Sequence, residues 1–401
     1  MNGAPVLVHE RPRRTALVGA AMFDGVTGAV HPSPLIILDG SRIVAVETGT
    51  TPPDDCEVHD LDGATLLPGL VDTHVHLAFD ASDAPVARLA ERDDDAVVAS
   101  MIEAARTALR AGITTVRDLG DRDHLSLQLR GRPDLPTILS AGPPITTLGG
   151  HCHYLGGAVP DGVKSVTAAV RDHAERGVDV IKIMASGGVL TPGTHQELAR
   201  FTAEETKAIV AEAHRRGLPV TAHAHATAGV ANAVAAGVDG LEHVTFWTAD
   251  GIETPIELMQ QIVDRGIVVG ATAGLDPVKL AISGPPPELA TRVPAIMANL
   301  RRMMEMGAIV VAGTDAGIGP PKPHDVLRHA FPMMQAAGLS PYDALRTITS
   351  VAATACGLGA AKGRLAVGYD ADILAVDGDP LTDPAALLRV QAVYARGARV
   401  R

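Results

Sequence analysis

The chain changes its hydrophobic rhythm twice. Over residues 15–62, short apolar pieces alternate with turn residues. Ala16-Leu17-Val18-Gly19-Ala20, Leu35-Ile36-Ile37-Leu38 and Arg42-Ile43-Val44-Ala45-Val46-Glu47 are set apart by Asp39-Gly40 and Pro52-Pro53-Asp54-Asp55. Short apolar runs bounded by turn formers predict strands joined by hairpin turns. From about residue 64 to 355, strand-like runs alternate with Ala-rich helical stretches, the pattern of βα units around a parallel sheet. The predicted strands are 64–72, 113–118, 136–141, 178–184, 218–223, 238–243, 266–271 and 308–313. The helices between them include 96–111, 165–176, 202–216 and 294–306. Thr202 before Ala203-Glu204-Glu205 reads as an N-cap with acids in the first turn, and Gly112, Gly177, Gly217 and Gly237 stand where helices end. Eight such units predict an α/β fold, a (β/α)8 TIM barrel.

After Gly357 the β rhythm returns, in Gly363-Arg364-Leu365, in Ala371-Asp372-Ile373-Leu374-Ala375-Val376 and over residues 390–400. The economical arrangement pairs the two ends of the chain into one small β-sandwich. Residues 1–63 and 357–401 would then flank a barrel of residues 64–356. Gly284-Pro285-Pro286-Pro287 marks a loop after the seventh strand, read as a stiff connector.

In a barrel of this kind the active site is built where the strands end. The first predicted strand runs into Asp72-Thr73-His74-Val75-His76. Residues two apart share a face of a strand, so His74 and His76 aim two imidazoles at one point. Asp72 shares that face one step deeper and is read as a supporting residue. The fourth strand carries Lys182 inside an apolar run, the fifth ends at His223 with His225 two further on, the sixth ends at Glu242-His243, and the eighth at Asp315. Each has an ordinary explanation taken alone: a histidine packed at a strand end, a lysine whose stem is buried and whose head reaches water. One chemistry accounts for them together. A lysine in an apolar strand favours its neutral amine, and a neutral amine adds carbon dioxide to give a carbamate whose two oxygens can bridge two divalent ions. His74 and His76 would hold one ion, His223 and His243 the other, and Asp315 would complete the first. Two ions acidify a bridging water, and Asp315 can carry its proton to a leaving group.

Composition narrows the partners. The net charge is −12, and the 401 residues hold one Trp, four Tyr and five Phe. An acidic chain poor in aromatics offers neither a phosphate-binding surface nor stacking platforms, so no nucleic-acid partner is expected. Three cysteines, Cys56, Cys152 and Cys356, are too few and too scattered for a disulfide framework. Residues 1–14 lack the continuous apolar core of a secretory signal, and no uninterrupted apolar run reaches membrane-spanning length. The expectation is a cytoplasmic protein with no membrane partner.

With those residues placed, the chain resembles the amidohydrolase superfamily over about residues 61–380. The resemblance rests on Pro68-Gly69-Leu70-Val71-Asp72-Thr73-His74-Val75-His76, Lys182, His223, His243, Gly313-Thr314-Asp315-Ala316-Gly317 and the closing Gly363-Arg364-Leu365-Ala366-Val367-Gly368-Tyr369-Asp370-Ala371-Asp372. It implies a barrel with a small β-sandwich and a binuclear hydrolase centre. Two divalent ions, usually Zn2+, would be held by His74, His76, carboxylated Lys182, His223, His243 and Asp315. The chain looks most like the imidazolonepropionase-related branch of metal-dependent prolidases, Xaa-Arg/Lys dipeptidases and ochratoxin-type amidases. The stretches Leu148-Gly149-Gly150-His151-Cys152-His153, residues 185–193 and Gly317-Ile318-Gly319-Pro320-Pro321 support that likeness. The dipeptidases of this branch commonly carry a tyrosine two residues after the fifth-strand histidine, where this chain has His225.

The reading at this point is an amide hydrolase for a small carboxylate-bearing substrate, an N-acyl amino acid or a dipeptide, in a homo-oligomer. Asp315, His225 and His151 are its catalytic candidates. His151, His153, Tyr154, His225 and His324 are its candidate substrate contacts. Arg117 and Asp118, ending the second strand, are expected to pair with each other. Hydrolysis of a cyclic amide, imide or lactone, or deamination, would use the same centre, and a barrel that binds metal without catalysis is the rival outside enzymes.

Overall fold

The structure, a computed structural model, describes residues 14–284 and 287–401. The β-rich start of the chain forms β1 (Arg14–Val18), β2 (Ala21–Phe23), β3 (Val30–Pro32), β4 (Pro34–Asp39), β5 (Arg42–Thr48), β6 (Cys56–Asp60) and β7 (Ala64–Pro68). The central region supplies β8 (Leu70–Val75), β9 (Ile113–Asp118), β10 (Thr137–Ser140), β11 (Thr146–Thr147), β12 (Ala158–Val159), β13 (Ile181–Met184), β14 (Val220–Ala226), β15 (Gly240–Thr248), β16 (Gly251–Ile252), β17 (Val268–Gly270) and β18 (Val310–Val311). β19 (Ile373–Asp377), β20 (Val390–Ala395) and β21 (Ala398–Arg399) follow.

Both ends of the chain meet in one sheet. Its order is β21-β20-β19-β7-β2-β3, and a second sheet runs β5-β4-β1-β6. One apolar cluster draws on both, with Leu17, Ile36, Ile43, Leu66, Ile373 and Tyr394 buried together. Beneath it Lys362 is buried between Asp370 at 2.8 Å and Asp372 at 2.5 Å, which ties the closing Gly363-to-Asp372 segment to this sheet.

The run 64–72 does not form one strand, as its apolar pattern predicts. It is split between two sheets: β7 pairs with β19 and β2, while β8 pairs with β9. The break falls at Pro68-Gly69. Proline has no N–H for a ladder, and a Cβ at Gly69 would lie 2.2 Å from Thr114 Oγ1, so only glycine lets the backbone pass there.

The other predicted strands appear at their places, somewhat shorter or shifted, and all pair in parallel. β10-β9-β8 form one sheet and β13-β14-β15-β17-β18 another. Isolated parallel bridges link their edges: Val75 with Ala316, just beyond β18, and Ile145, beyond β10, with Ile183 of β13. The arrangement is TIM-barrel-like. The helices cover it with apolar faces. Asp94–Arg110 buries Val97, Met101, Ala105 and Leu109, four residues apart along one stripe. Each such buried aliphatic side chain contributes roughly 1.5–3 kcal/mol. Thr202 and Glu205 form a reciprocal capping box on Ala203–Arg215, and Gly177 and Gly237 close their helices at φ of 83° and 82°. Of the Gly284-Pro285-Pro286-Pro287 loop, Pro285 and Pro286 lie outside the described residues. Among the described residues no helix is long and apolar enough to cross a membrane.

Candidate metal centre

The ends of β8, β13, β14 and β15 and the turn after β18 bring the predicted residues to one cavity. It is lined by His74, His76, Lys182, His223, His243 and Asp315, together with His151 and His225. Two groups stand out within it. Ligand atoms of His74, His76 and Asp315 lie within 4.8 Å of one another, and so do those of His223, His225 and His243.

Hydrogen bonds behind the rings set which nitrogen faces the cavity. His74 Nδ1 is 3.0 Å from Glu242 Oε2, and His76 Nδ1 is 2.9 Å from the Gly120 carbonyl. Both partners accept, so both Nδ1 atoms carry the proton and both Nε2 lone pairs are left bare. Those Nε2 atoms lie 3.5 and 3.1 Å from Asp315 Oδ1. In the second group, His223 Nε2 donates to the Gly187 carbonyl at 3.0 Å, leaving Nδ1 to the cavity. His243 Nδ1 is 3.2 Å from Thr272 Oγ1 and His225 Nδ1 is 2.9 Å from Thr245 Oγ1. The rings of His225 and His243 stack at 4.5 Å, and His74 lies 5.5 Å from His243.

The surrounding chain leaves little freedom. Asp72 is fully buried and accepts from Thr314 N at 3.0 Å, Thr314 Oγ1 at 2.6 Å and His74 N at 3.2 Å. It thus ties the end of β8 to the turn that carries Asp315, the supporting role expected of it. Burial raises its carboxyl to about 7 despite the Thr314 and His74 bonds. A Cβ at Gly313 would lie 2.6 Å from that of His74, so the turn packs directly on the histidine. His243 and Asp315 both sit at left-handed backbone angles, φ 73° and 60°. Non-glycine residues there cost of order 1–3 kcal/mol each and gather at functional sites.

The electrostatics favour neutral imidazoles at His74, His151, His223, His225 and His243; at His76 burial is outweighed by the hydrogen bond and charge of Asp315, and the pKa rises. Burial lowers His74 to about 4, helped by Lys182, and lowers His225 to about 4 and His151 to about 3. His223 and His243 fall well below the usual range through burial and neighbouring imidazoles. Burial alone would raise Asp315, but His74 and His76 pull it well below the ordinary carboxylate range. Lys182 is lowered to about 8 by burial, with Glu242 and Asp315 opposing. Its Nζ is buried and has no hydrogen-bond partner among the described residues. An amine so placed, beside bare imidazole nitrogens and an ionised carboxylate, fits a site for divalent cations.

Other expectations need correction. Arg117 and Asp118 do not pair. Adjacent strand residues face opposite ways: Arg117 reaches Thr73 O at 2.7 Å and Glu242 Oε1 at 3.1 Å, while Asp118 accepts from Leu77 N and Gly120 N, each at 3.0 Å. His153 is exposed, with Nδ1 on the Gly150 carbonyl, and Tyr154 turns toward Cys152. His324 is buried with Nε2 on the Phe79 carbonyl at 2.9 Å. None of these three lines the cavity. His151 does, 4.9 Å from His223 between ring centres and packed where a Cβ on Gly188 would meet its Nε2 at 2.4 Å. Glu242, the residue that orients His74, has no role in the sequence reading. Strict alternation from His243 sends it outward; the left-handed angle at His243 is what lets both face the centre. Trp247 and Arg292, lining an adjoining cleft, are likewise unmarked in the sequence.

A TIM-barrel-like α/β protein with these two histidine groups is a candidate metal-dependent hydrolase. Comparison gives the family. The Amidohydrolase family model matches residues 65–400, and the chain belongs to that family. Its members generally use divalent metal ions, and this chain is a hydrolase acting on C–N bonds. It is 31% identical over 353 residues to an ochratoxinase of Aspergillus niger, covering 79% of this chain and 71% of that protein. It is 25% identical over 395 residues to an imidazolonepropionase of Salinispora tropica, covering 90% of each. Among solved structures, a Xaa-Pro dipeptidase with methionine bound in its active site superposes with a TM-score of 0.86 at 29% identity, over 96% of this chain and 99% of that one.

Proposed function

We propose that the protein is a binuclear amidohydrolase that cleaves the amide bond of a small carboxylate-bearing substrate, an N-acyl amino acid or a dipeptide. In this reading the eight parallel strands, beginning at β8, close into a (β/α)8 barrel that ends near residue 356, and the two ends of the chain, with β7 in their sheet, form a β-sandwich beside it. Lys182 carries the reading: its Nζ is buried without a hydrogen-bond partner in the cavity that holds both histidine groups. Carboxylated there, it gains two anionic oxygens to share between two ions. One ion would be held with His74, His76 and Asp315, the other with His223 and His243, a set of nitrogen and oxygen donors suited to zinc. When bound, the ions supply Lewis acidity toward the carbonyl and toward water.

The chain's own groups perform the proton transfers. Asp315 accepts a proton from the attacking water as the C–O bond forms, then delivers it to the amide nitrogen as the C–N bond breaks. His225 donates from Nε2 to the carbonyl oxygen in the tautomer where the Thr245 hydroxyl donates to Nδ1. His151, whose ring lies 4.9 Å from that of His223, contacts the substrate. The metal cavity itself is small, about 50 Å³, but it shares Val189 with a cleft of about 360 Å³ that can take the substrate's body. In that cleft Arg292 lies over the Trp247 ring at 4.6 Å.

The test is metal analysis of the purified protein together with a substrate panel. About two ions per chain, and hydrolysis of N-acyl amino acids or dipeptides in preference to cyclic imides and lactones, is the expected result. Full activity with one ion per chain would end the binuclear reading, and turnover of the cyclic substrates alone would end the substrate assignment.

A further inference from the structure

A second cavity, of about 540 Å³, lies at the opposite ends of the strands from the metal centre. One wall is made by residues entering the strands: Val180 before β13, Pro219 before β14, Val268 at the start of β17 and Ile309 before β18. The facing wall is the helix Ser350–Ala355 and the turn after it. This is the volume of a pocket for an amino-acid-sized molecule.

Three guanidinium groups from separate parts of the chain line it. Arg117 spends Nε on the Thr73 carbonyl and Nη2 on Glu242, and its Nη1 makes no hydrogen bond among the described residues. Arg346 lies over Tyr342 and 3.7 Å from Asp343, and its Nε is buried without a hydrogen-bond partner. Arg364 lies over the Tyr369 ring and makes no ion pair among the described residues. The two acids of the lining are already engaged. Asp179 takes Arg130 and the Ser140 amide, and Asp239 takes His214 and the Val220 amide. Arg117 and Arg346 likewise face acids, Glu242 and Asp343, so Arg364 is the cation of this lining left without an acid among the described residues. Ser350 also lines the cavity, is 4% exposed, and its Oγ has no hydrogen-bond partner. Buried polar atoms ordinarily have partners, and an oxygen supplied by a ligand would satisfy both the hydroxyl and the guanidinium nitrogens.

We infer that this cavity is a binding site for a small organic carboxylate with an apolar body, its charge met by Arg364, with Arg117 Nη1 and Arg346 Nε as further donors, one oxygen met by Ser350, and its body by the aliphatic wall. Arginine forks suit a carboxylate, and the aliphatic residues at the strand entries exclude a ligand that is charged throughout. Arg117 joins this cavity to Glu242 behind His74, but Arg364, Ser350 and the aliphatic wall take no part in the amide-hydrolysing reaction.

The test uses the metal-loaded full chain and 4-bromophenylacetate as probe. Crystals soaked with it are read by the anomalous signal of bromine. In solution, the rate of Cys356 alkylation by iodoacetamide is followed by peptide mass mapping. Cys356 lines this cavity and is half-buried, whereas Cys56 and Cys152 are buried and Cys152 belongs to the metal cavity. Bromine is expected against Val180 and Ile309, and at ten times its Kd the acid should slow Cys356 alkylation about tenfold. Arg364→Ala and Ser350→Ala should each weaken that protection, the arginine about tenfold or more. The uncharged 4-bromophenylacetamide should protect poorly. Bromine at the metal centre alone, no protection of Cys356, or equal protection by acid and amide would each overturn the site. The soak and the acid–amide comparison need only the wild-type chain, so they decide the matter even where a variant does not fold.

Discussion

Glu242→Gln replaces one carboxylate oxygen by an amide nitrogen at the point where the metal centre is anchored to the barrel. Glu242 accepts three hydrogen bonds, from His74 Nδ1 at 3.0 Å, Arg117 Nη2 at 3.1 Å and Thr221 Oγ1 at 2.9 Å. Every one of these partners donates. A glutamine has one accepting oxygen, so its NH2 must oppose a donor in either orientation. Facing Arg117 and Thr221, it strands a buried guanidinium, and breaking a buried pair costs about 3–5 kcal/mol. Facing His74, it forces Nδ1 to accept, moves the ring proton to Nε2, and removes the lone pair aimed at Asp315. Rotation offers no escape, because a Cβ on Gly270 would lie 2.0 Å from Glu242 Oε2 and the carboxylate already packs on that glycine.

The expected result is a loss of stability near that size in the first orientation. In the second, metal affinity falls about 10–100-fold, the usual range for losing a partner behind a metal-binding histidine. Urea denaturation of the metal-free protein reads the first, and chelator competition reads the second. The double variant Glu242→Gln/Arg117→Met separates them. It removes the stranded charge, so it should recover stability without recovering metal affinity. A single Glu242→Gln variant with both the denaturation midpoint and the metal affinity of the wild type would refute the anchoring role.

Four further outcomes are expected. Asp315→Asn should fold and retain metal while kcat falls about 10²–10⁴-fold, the range of a lost general acid–base; near-normal turnover would remove Asp315 as the proton carrier. His225→Phe should keep the metal count of the wild type and lose kcat, whereas loss of one ion would make His225 a ligand beside His223 and His243. Burial holds Lys182 near 8 against 10.5 for a free lysine, so its amine becomes neutral as pH rises through about 8. 13C-bicarbonate given with zinc should then yield a carbamate signal that grows through that pH and is absent in Lys182→Ala. The same shift means that the unfolded metal-free chain binds more protons between pH 8 and 10.5, so this group's contribution raises stability with pH over that window. Lys362→Met leaves the buried Asp372 without its cation, while the half-buried Asp370 keeps Arg42, and should cost about 3–5 kcal/mol in urea denaturation with no change in metal affinity.

How far the centre was legible in the sequence follows from where the backbone keeps its period. His74 lies near the end of β8 and His76 just beyond it, and two-residue alternation still brings them together although the pairing with β9 shifts register between Asp72 and Val75. His223 and Lys182 come from neighbouring strands, in register through Lys182–Thr221 and Met184–His223. The reading failed where the period breaks. Pro68-Gly69 carries the chain from one sheet to another inside a single apolar run, so hydrophobicity could not show the join. At the end of β15 the left-handed residues His243, Val244 and Phe246 turn neighbouring side chains to one side. Alternation therefore has no way to place Glu242 and His243 at the same centre. The loop histidines His151, His153 and His324 have no period at all, and only one of the three reaches the cavity. His243 and Asp315, the two candidate ligands on strained backbone, also border the elements sequence periodicity described least well. The strain is local, but the contacts that hold it are distant in the chain: Asp315 N donates to the His74 carbonyl at 2.7 Å, and Asp72 fixes Thr314. Such contacts reach across the strand array, so the candidate ligands can be listed from the sequence while their geometry, and the room they leave for a substrate, cannot.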